Sequence, residues 1–268
     1  MDFNQVIGFV LAILVGITLG LIGSGGSILT VPIMVYVIGI NPVLATAYSL
    51  FVVGSAAFVG GIKKLKQQLV NLKMVVIFGI PTVFAVFMTR KYIVPNIPDI
   101  IFDNNNFLIS KDLLLMILFA IVMILASFTM IKPRKEITYE SENATKINYY
   151  QILILGLLIG LLAGLIGAGG GFLIIPALVI IAKLPIKTAI GTSLFIIALQ
   201  SLIGFWGDST TFIDWKFLLI FTFFAISGIF IGDFLSRKVN GNKLKTGFGW
   251  FVLCMGIYII FKELIKKV

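Results

Sequence analysis

The chain has 268 residues, 59% of them hydrophobic and 12% charged, with 21 Lys and Arg against 11 Asp and Glu. Its mean hydropathy of +1.12 excludes a water-soluble globule and puts the chain in a bilayer, while the absence of histidine and a single cysteine, Cys254, exclude haem, zinc, disulfide and Cys/His nucleophile chemistry. The net charge of +10 sits in short loops between apolar runs, with no groove-reading motif, so it reports membrane topology and not nucleic-acid binding.

The N-terminus lacks a basic n-region and its apolar stretch continues without an A-x-A site, so it reads as a mature helix and not as a signal peptide. Strands are excluded because nothing resembles alternating ten-residue segments, and a hydrocarbon core of about 30 Å calls for helices of about 20 apolar residues. The predicted segments of the first half are 4–22, 27–39, 43–61, 72–91 and 109–131. The first carries the packing notch Gly16-xxx-Gly20 and runs into the cluster Gly23, Ser24, Gly25, Gly26 and Ser27. The second, of about 13 residues or about 20 Å, is too short to cross, contains Pro32 and reads as half of a re-entrant hairpin, two short-spanning helices being the alternative. The third opens with Thr46, Tyr48 and Ser49 and ends in the basic loop Ile62–Gln68, and the fourth ends at Arg90 and Lys91, placed at a membrane boundary as snorkelling cations. The loop from Tyr92 to Ser110, with Pro95, Pro98 and three consecutive Asn, reads as a surface loop or a lid.

A polar stretch, 132–148, joins this first repeat (1–131) to a second (149–268). The predicted segments there are 149–166, 171–183, 187–206, 215–236 and 243–262. Gly156, Gly160 and Gly164 form another packing stripe, followed by the cluster Gly167, Gly169, Gly170 and Gly171, then Pro176, then Lys183 and Lys187 in a basic turn. The eighth segment carries Thr192, Ser193 and, two turns on, Gln200, and ends in the acidic loop Gly207–Asp214. Asp233 in the ninth pairs by i,i+4 spacing with Arg237, Cys254 in the tenth is a small packing residue, and Trp206, Trp215 and Trp250 are interfacial or packing aromatics.

The two halves are copies. Residues 20–60 and 164–204, offset by 144, share 14 of 41 positions, including Ser49 and Ser193, where composition alone would give roughly a tenth. Corresponding loops carry opposite charge, basic at 62–68 and acidic at 207–214, so the copies face opposite sides. With the basic members in the cytoplasm, 14 of the 21 Lys and Arg lie inside and 7 outside. The fold class is therefore an all-α polytopic membrane protein of two inverted-topology repeats, each of about five helical segments and each starting with a glycine-broken helical hairpin.

A glycine break leaves the first N–H groups of the next helix without intrahelical partners, and such donors favour an anion. Two hairpins of opposite direction bring two helix N-termini toward the bilayer middle, a positive pocket without any buried Lys or Arg. The substrate-binding residues expected there are Gly23, Ser24, Gly25, Gly26, Ser27, Thr46, Tyr48, Ser49, Gly167, Gly169, Gly170, Gly171, Thr192, Ser193 and Gln200, with Pro32 and Pro176 as hinges and no metal site or cofactor. The competing account makes the glycines helix-packing notches and lets the hydroxyls bond back to their own helix carbonyls.

The second copy, Gly167-Ala-Gly-Gly-Gly-Phe-Leu-Ile-Ile-Pro176 followed by Gly191-Thr-Ser193, in a twofold-repeated helical chain of this length, resembles the TauE/SafE sulfite exporter family, also called the toluene-sulfonate uptake permeases. The first copy departs from that pattern, with Ser24 and Ser27 among its glycines and Thr46-Ala-Tyr-Ser49 in place of Gly-Thr-Ser. The resemblance implies transport of sulfite, thiosulfate, sulfonates or other small organic anions across the bacterial inner membrane. No ATP-binding loop occurs, so the substrate's own gradient or a coupling proton or cation drives it. A small-anion channel is the nearest alternative; a membrane enzyme is opposed by the lack of histidine and of paired carboxylates at depth, and a non-transporting subunit by the lack of a soluble docking domain.

Overall fold

The computed structural model describes residues 3–23, 26–104, 107–131, 149–208, 213–236 and 241–265. The expected site residues Ser24 and Gly25, the linker 132–148 and Arg237 lie outside the described residues.

Ten helices form among the described residues: α1 (Phe3–Ile22), α2 (Ser27–Ile38), α3 (Pro42–Lys66), α4 (Leu72–Asn96), α5 (Lys111–Ile131), α6 (Tyr149–Ile166), α7 (Gly171–Ile180), α8 (Ile186–Gly207), α9 (Trp215–Ser236) and α10 (Gly241–Ile265). Seven of them are long and apolar enough to cross a membrane; α2, α6 and α7 are shorter. Local chemistry sets the ends. Asn41 caps α3 by accepting from the Val43 N–H at 2.9 Å, with Pro42 at the first helical position. Asn71 likewise caps α4 through the Met74 N–H at 3.1 Å. Gly39, at φ +85°, closes α2 in the left-handed conformation that glycine adopts without strain. After Pro32, α2 relaxes into a wide turn over Ile33–Ile38, and α4 does the same over Thr89–Ile93 before continuing to Asn96.

Three expectations need correction. The basic stretch at 62–68 is helical through Lys66, because lysines at a helix C-terminus meet the negative end of its dipole and two of these find a carboxylate. The long loop contains a strand pair, β1 (Ile100–Asn104) against β2 (Phe107–Ser110), built from two short runs rich in β-branched and aromatic residues. Cys254 is exposed and does not pack inside.

α3 and α8 form the antiparallel centre: Gly54 rests on Leu202, Gly61 on Phe195, and Gly191 on Leu69 and Lys64. The remaining contacts exchange between the halves. α1 packs chiefly on α9, and its counterpart α6 on α4; α3 contacts α9 as α8 contacts α4; α5 pairs with α10. The glycine stripes set these seams, Gly16 and Gly20 meeting backbone at Ala225 and Ile229, and Gly160 and Gly164 meeting Thr82 and Thr89. Outward-facing side chains such as Ile80, Phe84, Leu125, Phe128, Phe223 and Phe261 are large, apolar and exposed, as a lipid-facing belt requires. Trp206, Trp215 and Trp250 share that surface.

Candidate functional site

The second glycine cluster turns the chain tightly between α6 and α7, and in the first the described residues are Gly23, Gly26 and Ser27. Gly23, Gly167, Gly169 and Gly170 all have positive φ, between +59° and +83°. Each cluster leans on the start of the other half's third helix: Gly23 against Ile190 of α8, and Gly167 against Thr46 of α3, which are repeat counterparts. Gly169 reaches the middle of the central pair, where it meets Val53, Ile197 and Ser201, and its carbonyl accepts from Gln200 Nε2. Gly26 sits hard against α1 at Val15, Thr18 and Leu19. Ser27 and Gly171, the first residues of their short helices, are buried. The described glycines of both clusters thus sit against their neighbours, and a recess beside Gly170, lined by Ala163, Ile166 and Phe172, has no room for a water molecule.

Among the hydroxyls the two halves divide. Thr46 donates to the Val43 carbonyl at 2.7 Å and Ser193 to the Ile190 carbonyl at 2.8 Å, the local bonds of a helical Ser or Thr. Thr192 accepts from the Asn71 N–H at 2.9 Å and ties the start of α4 to α8. Tyr48 accepts from the Asp214 N–H at 2.6 Å and stacks on Phe217, so its hydroxyl serves the start of α9. Ser49 is fully buried and its Oγ has no partner among the described residues, a condition shared by Thr30 Oγ1, Ser201 Oγ and Gln200 Oε1. These four buried oxygens line α2, α3 and α8. Pro32 and Pro176 lie inside α2 and α7, where each lacks the N–H that would continue the helix ladder.

Two ion clusters, one buried and one half-buried, were not legible as such. Arg90, expected to snorkel, is 0% exposed; the wide turn of α4 swings it inward, and its Nη1 donates to Asp208 Oδ2 at the end of α8 at 3.0 Å. The protein therefore does contain a buried arginine, at one end of the central helix pair. Asp233 is held by Lys63 and Lys64 at the end of α3, each at 2.7 Å, which ties α9 to a neighbouring helix.

The repeat relates these clusters. Gly60 meets Ile229 as Gly204 meets Val86, and Gly16 meets Ala225 as Gly160 meets Thr82. The offset is 144 across the glycine residues and 143 across their partners on α4 and α9, a one-residue slip in the preceding loop. In that register Arg90 corresponds to Asp233 (90 + 143), and Asp208 to Lys64 (64 + 144). One ion pair occurs twice with its charges exchanged, α4 to α8 at one end and α9 to α3 at the other. Because α3 and α8 are antiparallel, the two lie at opposite ends of the pair, about 16 helical residues or about 24 Å apart. A recess of about 10 Å³, on the order of one water, lies beside Asp233 between Gly60, Lys64 and Ile229.

A family model described as "Sulfite exporter TauE/SafE" matches residues 8–259. A "Probable membrane transporter protein" of Xylella fastidiosa (strain 9a5c) is 28% identical over 261 residues, covering 93% of this chain and 92% of the relative. The "Probable membrane transporter protein YunE" of Bacillus subtilis (strain 168) is 25% identical over 276 residues, covering 96% and 97%. "Probable membrane transporter protein MJ0441" of Methanocaldococcus jannaschii is 32% identical over 130 residues, 44% of this chain and 46% of that one. No solved structure matches.

Proposed function

Since the chain belongs to the TauE/SafE sulfite exporter family of membrane transporters, we propose that it is a secondary transporter carrying a sulfur-containing or small organic anion across the bacterial inner membrane by alternating access. Two inverted repeats, 1–131 and 149–268 joined by a cytoplasmic linker 132–148, give access to a midplane anion from one face and then the other. The observation that carries this reading is the ion pair repeated with exchanged charges. A carrier of this kind needs two barriers of equivalent construction, one at each face, only one of which opens at a time. Arg90–Asp208 clasps α4 to α8 on one side and Lys64–Asp233 clasps α9 to α3 on the other, both shut. Opening either face breaks one clasp and leaves the other.

The elbows Gly23–Ser27 and Gly167–Gly171, with Ser49 and Gln200, supply the anion's path between the clasps. Glycine backbone there lets helix N–H groups approach a ligand closely, and the unpartnered Ser49 Oγ lies within the same buried layer. Pro32 and Pro176 give the short helices the slack to tilt.

The test is uptake of radiolabelled sulfite, thiosulfate and methanesulfonate into proteoliposomes, with and without a pH gradient. Saturable uptake with counterflow is expected for at least one of them. If none is moved or competes, the anion reading is wrong; steady single-channel currents would replace the carrier by a channel.

A further inference from the structure

We propose that Arg90 is an oxyanion-binding residue, the edge formed by its Nε and Nη2 taking two oxygens of the transported anion while Asp208 holds the guanidinium in place. This deepens the anion reading above and rests on it. A guanidinium is a planar fork of five donors whose side-on edge, Nε with Nη2, matches two oxygens of one carboxylate or sulfonate. In this protein Nη1 alone is engaged, by Asp208 at 3.0 Å. Nε and Nη2 are buried and have no acceptor among the described residues. Buried donors of a charged group are nearly always met, so two vacant ones on the same edge mark an acceptor that arrives from outside.

The surroundings favour an arriving anion. Thr89, next in sequence, lies against Gly164, its Cβ only 2.7 Å from where a methyl group on that glycine would sit, and Gly207 lies against the Arg90 Cβ in the same way at 3.3 Å. Three residues beyond Gly164, Gly167 rests on Thr46, one turn from the unpartnered Ser49 hydroxyl. Arg90 therefore adjoins the second elbow at the end of the α3/α8 pair where spare donors collect. The exchanged clasp at the other end has the opposite balance, two ammonium groups on one carboxylate with both oxygens taken. Only the arginine version leaves a fork open. Its shape selects anions that present two oxygens side by side, such as sulfonate, sulfite, thiosulfate or carboxylate, over a halide.

Two measurements decide it. In thermal unfolding in detergent, sodium thiosulfate and sodium methanesulfonate, but not sodium chloride at equal ionic strength, are expected to raise the melting temperature of the wild type through binding to the folded state. Arg90→Lys keeps the charge but not the fork, and is expected to lose that rise. Asp208→Asn keeps an amide oxygen to accept from Nη1 and hold the guanidinium while removing the carboxylate that neutralises it, and should show a larger rise than the wild type, whereas Arg90→Gln/Asp208→Asn, with both charges gone, should fold and show none. In proteoliposomes, Arg90→Lys is expected to raise the half-saturating thiosulfate concentration tenfold or more. Wild-type uptake with an unchanged half-saturation in Arg90→Lys would overturn this inference and leave the transport reading standing. Wild-type stabilisation by thiosulfate without any uptake would sink the transport reading, and the Arg90→Lys melting curve would still decide the site. Equal oxyanion stabilisation in wild type, Arg90→Lys and the double variant would also overturn it.

Discussion

Replacing Gly167 by alanine should lower the unfolding temperature well beyond the effect of the same change at its repeat counterpart, Gly23. Both glycines have positive φ, +73° and +83°, so a Cβ costs about 1–2 kcal/mol at either position from backbone strain alone. The second contribution separates them. At Gly23 the new methyl meets the side chain of Ile190, which can shift rotamer at about 1–2 kcal/mol. At Gly167 it meets the Thr46 carbonyl oxygen at 2.5 Å and the Thr46 Cα at 2.6 Å. That is backbone inside α3, held further by the bond from Thr46 to Val43, so the elbow itself must move off the helix, at about 3 kcal/mol or more. Expected totals are about 2–4 kcal/mol for Gly23→Ala and about 5 kcal/mol for Gly167→Ala. Fluorescence-detected size-exclusion chromatography after a temperature ramp reads the difference directly. Equal losses at the two sites, or a milder loss at Gly167, would refute the claim that elbow two is seated on backbone and elbow one on a side chain.

The Asp233 cluster should rank its members by burial. Asp233→Asn is expected to cost about 2–3 kcal/mol, because it leaves two close ammonium groups without their carboxylate, and Lys64→Gln should cost more than Lys63→Gln, since the Lys64 side chain is 15% exposed and that of Lys63 34%; melting curves that order the two lysines the other way would contradict the geometry. At the α1/α9 seam, Gly16→Leu and Gly228→Leu each drive a side chain into opposing backbone, and should abolish monodisperse protein in detergent, while Gly247→Leu, with nothing near its Cβ position, should leave the elution profile unchanged.

The helical layout was legible because each segment combines an apolar run with a readable stop. The predicted 215–236 and 149–166 coincide with α9 and α6, and the elbows fall at the two glycine clusters. What could not be read was anything decided by a neighbouring helix. Arg90 follows an apolar run and looks like a boundary cation; only the wide turn over Thr89–Ile93 and the carboxylate at the end of α8 make it a buried one. Asp233 has an i,i+4 cation in its own sequence, Arg237, which lies outside the described residues; what the sequence did not announce is that it also bonds to lysines 169 and 170 residues away. A signal for both was present in the duplication itself. Carrying the repeat register past residue 60 puts Asp208 opposite Lys64, and a one-residue slip puts Asp233 opposite Arg90, two pairs of positions with their signs reversed. The strand pair in the long loop escaped because its two runs are only 5 and 4 residues long, below what a search for spanning segments registers.

The crosswise packing of α1 on α9 and of α6 on α4 has a consequence for biogenesis. As the nascent chain leaves the ribosome, α1 is inserted first, but its mate begins roughly 190 residues later, about 10–40 s at ordinary translation speeds. For that interval its glycine groove faces lipid or the insertion machinery. Neither half encloses its own first helix, so two fragments separated within 132–148 would behave as complementing chains, each unfinished until the other is synthesised.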